Sequence, residues 1–476
     1  MRNRISQNLT FATAFILLLT AAVFAQFDNA EGIYGVSSKI KGKTPVIIVP
    51  GIMGSELVNV NTGEKVWFKV GRSNDDDLRL PVALNLNLSR DSLLPGDILR
   101  KVNIRFFPDV DVYEGIIDSL TKGGYEEASW ENPPKDLYDK FFVFPYDWRR
   151  DNQESARYLV EEIEDLKRRT GYNNLKFNVL AHSMGGLIVR YAAMYGKLDL
   201  RSGVPMPTWY GAKHFARLFI IGTPNEGSAD ALRSLLQGQS SFGGTTKIPF
   251  VRFLTPIDIA TMPSVFQLLP HIHSSKFFDG DLKPLSVNLY DINTWKKYDW
   301  AIYGKDQTQL NENSPEFARF ERYFALVLKR ASQFQAALDA QATRRGNLEI
   351  SLIGGDCKPT LDGIVIYKND KGEWETISDS KSFRNSNGVK HTDNEVRSII
   401  FAEGDGSVTK SSLFGETKFG NEKQRNVFDE NVGKTVSFLT CVNHEGMTSN
   451  PAVQVNILQA LVSDIKHKNS SDLAER

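Results

Sequence analysis

Residues 175–196 read LKFNVLAHSMGGLIVRYAAMYG. The apolar run LKFNVL predicts a buried strand, and LIVRYAAMYG predicts a helix that stops at Gly196. Between them, Ala181 and Gly185 lie two residues either side of Ser183. A strand–turn–helix with small residues at those two places is the setting of a nucleophile elbow. The small residues let the backbone turn sharply, the turn lifts the serine hydroxyl clear of the sheet, and the helix N-terminus favours negative charge beside it. The short pattern also fits an ordinary glycine-rich turn, but the flanking strand and helix favour Ser183 as a nucleophile.

Working outward, the same rhythm recurs. Buried strands are predicted at 45–50 (PVIIVP), 140–148 (KFFVFPYDW), 216–224 (ARLFIIGTP), 348–355 (LEISLIGG) and 396–406 (VRSIIFAEGDG). A helix is predicted at 154–171, with basic residues in its last turns and a glycine to stop it. Near the end, Asn450 suits an N-cap and Pro451 a first helical position, and Val453, Ile457, Leu461 and Ile465 form one stripe. Strands alternating with helices imply an α/β fold with a mostly parallel central sheet and helices on both faces. Two stretches break the rhythm, an accessory segment at 56–135 and a long insertion at 229–345. The insertion concentrates Phe242, Phe250, Phe253, Met262, Phe266, Leu268, Leu269, Phe277 and Phe278, and is expected to act as a cap or lid lined by these side chains. Residues 362–377 read as a hairpin turning at Asn369–Gly372.

Composition narrows the function classes. Lys+Arg and Asp+Glu both total 57, so the formal charge is zero and nothing points to nucleic acid. Arg2 and Arg4 precede an apolar stretch with no further charge until Asp28, and Val23 and Ala25 suit cleavage before Gln26. Residues 1–25 therefore read as a signal peptide and 26–476 as an exported catalytic domain, secreted or periplasmic. Cys357 and Cys441 permit a disulfide in such a chain. Neither belongs to a CxxC pair and the histidines show no ligand spacing, so no metal or other cofactor is expected. Nothing in the sequence specifies an oligomeric state.

A serine nucleophile needs a base, and the base needs an orienting acid, in the chain order Ser, Asp or Glu, His for an elbow of this kind. His444 lies in CVNHEGMTSN, between the strand-like TVSFLTC and the last helix, where a base belongs. His271 and His273 fall in the insertion, His467 in the tail, and His214 before a core strand. His182 is adjacent to Ser183, points away from its hydroxyl and is assigned a structural role. Asp405 in AEGDGSV, with Glu403 nearby, and Asp356 in IGGDC all stand at strand ends. Gly404 and Gly406 flank Asp405 and favour it. An oxyanion hole needs two backbone N–H groups. Met184 supplies one, and Ile52 in PGIMGSEL is the expected second. In PYDWRR, Asp147 and Arg149 are expected to pair and brace a strand end, with Trp148 near the pocket.

PVIIVPGIMGSEL, PYDWRR, AHSMGGL, GTPNEGS, TMPSVFQLLP, GDGSV and HEGM occur in this order over roughly residues 44–450. Together they resemble the lecithin:cholesterol acyltransferase and lysosomal phospholipase family, particularly its bacterial members. The resemblance implies an α/β-hydrolase fold with a cap and acyl-ester transfer or hydrolysis on lipids. It also implies a catalytic serine at Ser183, aspartate at Asp405, histidine at His444, and oxyanion amides at Ile52 and Met184. Two features depart from the well-known animal members, which carry an acidic or polar residue at the position of Ile52 and an early cysteine pair. The expected substrate is a lipid ester, phospholipid or acylglycerol at an interface, with a lipophilic alcohol as a possible acceptor. The segment KVWFKV at 65–70 is a candidate membrane contact. The competing readings are a small-ester esterase or peptidase, and a non-catalytic lipid-binding protein.

Overall fold

The computed structural model describes residues 31–474, apart from 70–76, 103–109, 201–205, 241–252, 305–310, 312, 343–345, 418–424, 427 and 429–431. The signal peptide expected at 1–25 lies outside the described residues.

Seven strands form one sheet: β1 (Val46–Val49), β2 (Glu126–Glu127), β3 (Lys140–Val143), β4 (Phe177–His182), β5 (Phe215–Ile221), β6 (Gly346–Gly355) and β7 (Val432–Thr440). Their order is β7–β6–β5–β4–β1–β3–β2, and every pairing is parallel. This is the mostly parallel sheet expected from the alternation of strands and helices, and it agrees with the α/β-hydrolase fold that the family resemblance implies. β1 and β4 are buried along their whole length, as strands covered on both faces must be. Residue parity divides the core. Ile47 and Val49 face one side, toward Leu159, Val160 and Ile163 of helix α2 (Asn152–Thr170) and Leu187 and Ile188 of helix α3 (Met184–Tyr195). Val46 and Ile48 face the other, toward Ile116, Ile117 and Leu120 of helix α1 (Glu114–Lys122). That side is completed by Val453, Ile457 and Leu461, in the C-terminal helix that Asn450 caps by accepting from the Ala452 and Val453 amides. After β1 the chain moves out to β3 and β2 on one side, and from β4 onward it builds the other side. The β1–β4 junction is thus a topological switch point, where the loops after the strands diverge and leave a crevice.

The sequence placed a core strand at 396–406, and the structure does not. Residues Asp393–Ile400 form a helix, opened by a reciprocal cap between Thr392 and Glu395 and packed through Val396 and Ile400. Only Phe401–Gly404 is extended, and it pairs antiparallel with Lys358–Leu361 outside the main sheet. The β-branched residues that suggested a strand lie at helical spacing, and the cap decides the outcome. The hairpin at 362–377 forms, with Asn369 Oδ1 accepting from the Lys371 and Glu373 amides at its turn.

The accessory segment contributes a three-stranded antiparallel sheet, Ser55–Asn59, Lys65–Trp67 and Leu93–Ile98. Val66 and Trp67, expected at a membrane face, are buried instead, at 4% and 1% exposure. The Trp67 ring tilts against Trp148, and its Nε1–H donates to the Met53 carbonyl at 2.8 Å. Arg149 braces this segment against the end of β3. It is fully buried, and its guanidinium donates to both carboxylate oxygens of Asp147 and of Asp91, at 2.6–2.9 Å.

The insertion also differs from expectation. Phe242 and Phe250 lie outside the described residues. Met262, Phe266, Leu269 and Phe277 are buried core. Phe266 answers the 25-residue helix Pro315–Asp339, whose Phe324 meets it edge-on with centroids 5.1 Å apart, and Phe277 stacks on Trp300 at 6.2 Å. Among the described residues, no helix is long and apolar enough to cross a membrane.

Candidate active site

Ser183 sits between β4 and α3 with φ 53° and ψ −127°, a conformation that a non-glycine residue holds only when its surroundings impose it. The Ser183 amide donates to Ile221 on β5 at 2.7 Å, and its carbonyl accepts from Thr223 Oγ1 at 2.8 Å. Gly185 must be glycine, because a Cβ there would lie 2.5 Å from the Pro50 carbonyl oxygen. The loop after β1 therefore packs directly on the start of α3. Gly51 in that loop is under the same constraint, since its Cβ would meet the Ser183 Cβ at 2.8 Å.

His444 follows β7, and its Nε2 lies 2.9 Å from Ser183 Oγ. Its Nδ1 lies 2.9 Å from Asp405 Oδ2. Asp405 Oδ1 accepts from the Ser407 and Val408 amides at 2.9 and 2.7 Å, which fixes the carboxylate in a tight turn. The His444 amide donates back to the Asp405 carbonyl at 2.9 Å. Burial alone would push the Asp405 carboxyl up, but His444 and the two amides hold it below its ordinary value. Burial likewise pushes His444 down, yet Asp405, then Glu445 and Asp230, push it further up, to about 9. An imidazole bonded to a buried carboxylate on one side and a hydroxyl on the other is arranged to take the hydroxyl proton.

Of the candidate acids, the structure brings Asp405 to His444. Glu403 is exposed on the short strand that pairs with Lys358–Leu361. Asp356 makes none of the His444 contacts. His214 packs against Lys167, and His271 against Asp339. Ile52 lies in the turn that the Gly54 amide closes on the Gly51 carbonyl, and Met184 is the first residue of α3. Ile52 and Ser183 line one cavity of about 480 Å³, of a size suited to a small ligand or part of a chain. Its apolar wall is Ile52, Met53, Phe68, Leu99, Val102, Val265 and Leu268. More of that wall comes from the accessory segment than from the insertion. Asp230 and Arg233, an ion pair on helix Ala229–Gln237, add a charged side.

Several of these residues were not read as pocket residues from the sequence. Phe68 was read as part of a membrane contact, Leu99 and Val102 lie in a segment that mixes apolar runs with polar turns, and Asp230 carries no local motif. Tyr113 also lines the cavity and was not singled out. Among the described residues one group has the donors for a cation, Glu226, His271 and Asp339. These residues are far apart in the chain, so ligand spacing had no means of revealing them. His271 Nδ1 lies 2.8 Å from Asp339 Oδ2 and 3.6 Å from Glu226 Oε2; burial pushes this imidazole down, and the two carboxylates raise it above its ordinary value.

Comparison with known proteins follows this geometry. The chain matches the family described as Lecithin:cholesterol acyltransferase over residues 101–347, just over half its length. It is 24% identical over 267 residues to lecithin-cholesterol acyltransferase-like 4 of Arabidopsis thaliana, covering 51% of this chain and 45% of that protein. The chain thus spans less than half of that relative. Among solved structures, the Tle4–Tli4 complex aligns over 88% of this chain and 98% of the matched chain, at 12% identity and a TM-score of 0.46. Bacillus licheniformis lipase BlEst2 in its mature form aligns over 88% and 92%, at 12% identity and a TM-score of 0.31. With the family match spanning half the chain, this protein belongs to the lecithin:cholesterol acyltransferase family.

Proposed function

We propose that this protein is a serine acyl-ester enzyme acting on lipids, with Ser183 as nucleophile, His444 as base, and Asp405 as the carboxylate that orients His444. The observation that carries the reading is the unbroken chain from Ser183 Oγ to His444 Nε2 and from His444 Nδ1 to Asp405 Oδ2, each link 2.9 Å, opening on an apolar-walled cavity. His444 takes the serine proton as Ser183 Oγ attacks the ester carbonyl. The Ile52 and Met184 amides hold the oxygen that becomes negative. His444 then delivers its proton to the leaving alkoxide, and the acyl group remains on Ser183. Water or an alcohol, activated by the same histidine, removes it. The apolar wall suits a fatty acyl chain, since burial there is worth roughly 25 cal/mol per Å². Residues 229–345 act as a cap through Val265 and Leu268.

The acyl acceptor sets the reaction. Hydrolysis needs no further site, whereas transfer needs a pocket that holds an alcohol beside the acyl-enzyme and excludes water. Family membership supports both outcomes. We expect lipid-ester hydrolysis in water and acyl transfer when a lipophilic alcohol is supplied. The test is product analysis on a labelled phospholipid with and without a sterol or long-chain alcohol. Fatty acid alone across all acceptors reduces the activity to a lipase or phospholipase. No release from lipids but rapid turnover of acetyl esters makes it a small-ester esterase.

A further inference from the structure

His182 and Tyr113 are buried beside the site and take no part in the proton path from Ser183 to Asp405. Tyr113 is 2% exposed and His182 8%. The Gly51 amide donates to Tyr113 Oη at 2.8 Å. Tyr113 Oη lies 3.0 Å from His182 Nδ1, and His182 Nε2 lies 3.2 Å from the His444 carbonyl oxygen. The polarity of this chain is fixed by chemistry. A carbonyl only accepts, so His182 Nε2 carries the hydrogen. In the neutral ring Nδ1 then accepts, and the Tyr113 hydroxyl donates to it while accepting from Gly51. Adding a proton at Nδ1 would set two N–H donors on one phenol oxygen and strand the phenol's own hydrogen in a buried place. In agreement, burial and then the charge of His444 push His182 down, to about 3.

We propose that Tyr113 and His182 are positioning residues that lock the oxyanion loop to the loop carrying His444, so that the Ile52 amide and the imidazole are aligned as one unit. One end of the chain is the amide immediately before Ile52; the other is the backbone of the base itself. Two further contacts stiffen the ends. Tyr146 Oη donates to the Pro50 carbonyl at 2.9 Å, so the peptide joining Pro50 and Gly51 is held through both its oxygen and its nitrogen. Thr448, four residues past the base, donates through Oγ1 to the carbonyl of Val112, next to Tyr113. This inference rests on the reading of Ser183 as the nucleophile.

The experiment uses the full chain and a soluble chromogenic ester, with rates divided by the active sites titrated to an endpoint by an alkyl phosphonate, and melting temperature recorded alongside. Tyr113→Phe keeps the ring and removes the hydroxyl. His182→Gln keeps a donor toward the His444 carbonyl and loses the acceptor for Tyr113. Each variant is expected to lower kcat per active site by roughly 10- to 100-fold with KM little changed, the scale of a displaced oxyanion donor. The double variant should be no worse than either single, because both cut the same chain. His182→Asn, which keeps the acceptor and loses the donor, cuts the same chain at its other end and should show the same loss of kcat, with the low-pH limb of kcat/KM shifted as well by the freed His444 loop. Should Tyr113→Phe fail to fold, His182→Gln carries the same test. Wild-type kcat per active site in either single variant overturns the proposal, as do losses that multiply in the double variant. A wild-type protein that neither turns over esters nor takes up phosphonate removes the Ser183 reading first, and the bridge with it.

Discussion

Ser183, His444 and Asp405 come from three chain segments, yet each was marked as a candidate for a local reason. Ser183 was marked by strand, turn and helix together, and His444 by its place between a strand and the last helix. Asp405 was favoured by its flanking glycines, and in the structure its Oδ1 accepts from the two amides that follow Gly406. Tyr113 was not legible, because its role is a contact with Gly51 and His182, 62 and 69 residues away. At this scale, His444→Ala should lower kcat by on the order of 10⁴- to 10⁶-fold on any ester substrate, measured as pre-purified folded protein by ester assay. Asp405→Asn should be somewhat milder, and Asp356→Asn near wild type; full activity in the Asp405 variant would move the acid elsewhere. The pH dependence has a definite sign. His444 is raised to about 9, with Asp405, Glu445 and Asp230 facing it, so it holds its proton to higher pH and cannot act as base until that proton leaves. On an uncharged ester, kcat/KM should therefore climb with pH through neutrality toward about 9. In Asp405→Asn the climb should move to lower pH, with a lower plateau. The same raised value makes the Asp405–His444 contact stabilising below the unfolded histidine pKa of roughly 6.5. That contribution is lost as pH rises through about 9.

At the scale of elements, apolar runs bounded by glycine and proline read correctly as core strands, because a parallel strand buried on both faces leaves a simple mark. The segment at 396–406 misled, since its apolar residues suit either period and a side-chain cap chose the helix. The insertion misled differently: Phe266 answers Phe324 of the helix Pro315–Asp339 and Phe277 answers Trp300, and partnerships of that kind leave no local sign. PYDWRR was legible as an ion pair, but Asp91, its second carboxylate, lies 58 residues from Arg149. Burial pushes the Arg149 guanidinium down, and Asp147 and Asp91 more than restore it. Arg149→Met should destabilise by about 3–5 kcal/mol, because two carboxylates lose their common partner. Chemical denaturation would read this, and an unchanged midpoint would mean the brace is idle. Cys357 and Cys441 are bonded, across a sequence separation of 84. They follow β6 and β7, where Gly355 pairs with Thr440, beside the loops of Asp405 and His444. Closing such a loop stabilises by roughly 4–5 kcal/mol in the chain-entropy account. Titrating thiols in denatured, unreduced protein should find none, and reduction should lower the melting temperature.

For the whole molecule, the strand order explains how a serine read from a strand–turn–helix comes to lie beside its proposed partners. The chain switches direction between β1 and β4, which sets the loop carrying Ile52 against the elbow carrying Ser183, while β6 and β7 bring Asp405 and His444 in from the far side. Zero net charge and an apolar-walled cavity agree with a substrate held by burial rather than by charge. The wall itself was the least legible part, because it is assembled from accessory segment, insertion and core at once. If this assembly acts as proposed, turnover should rise with acyl chain length, and equal rates on acetyl and long-chain esters would count against it. The central claim is that a fatty acyl group passes through Ser183. The direct measurement is mass spectrometry of the intact protein and its peptides after brief exposure to a long-chain ester and acid quenching. The account predicts one acyl group on the peptide containing Ser183, absent in Ser183→Ala. Ester turnover retained by Ser183→Ala, or an acyl group on another residue, would contradict it.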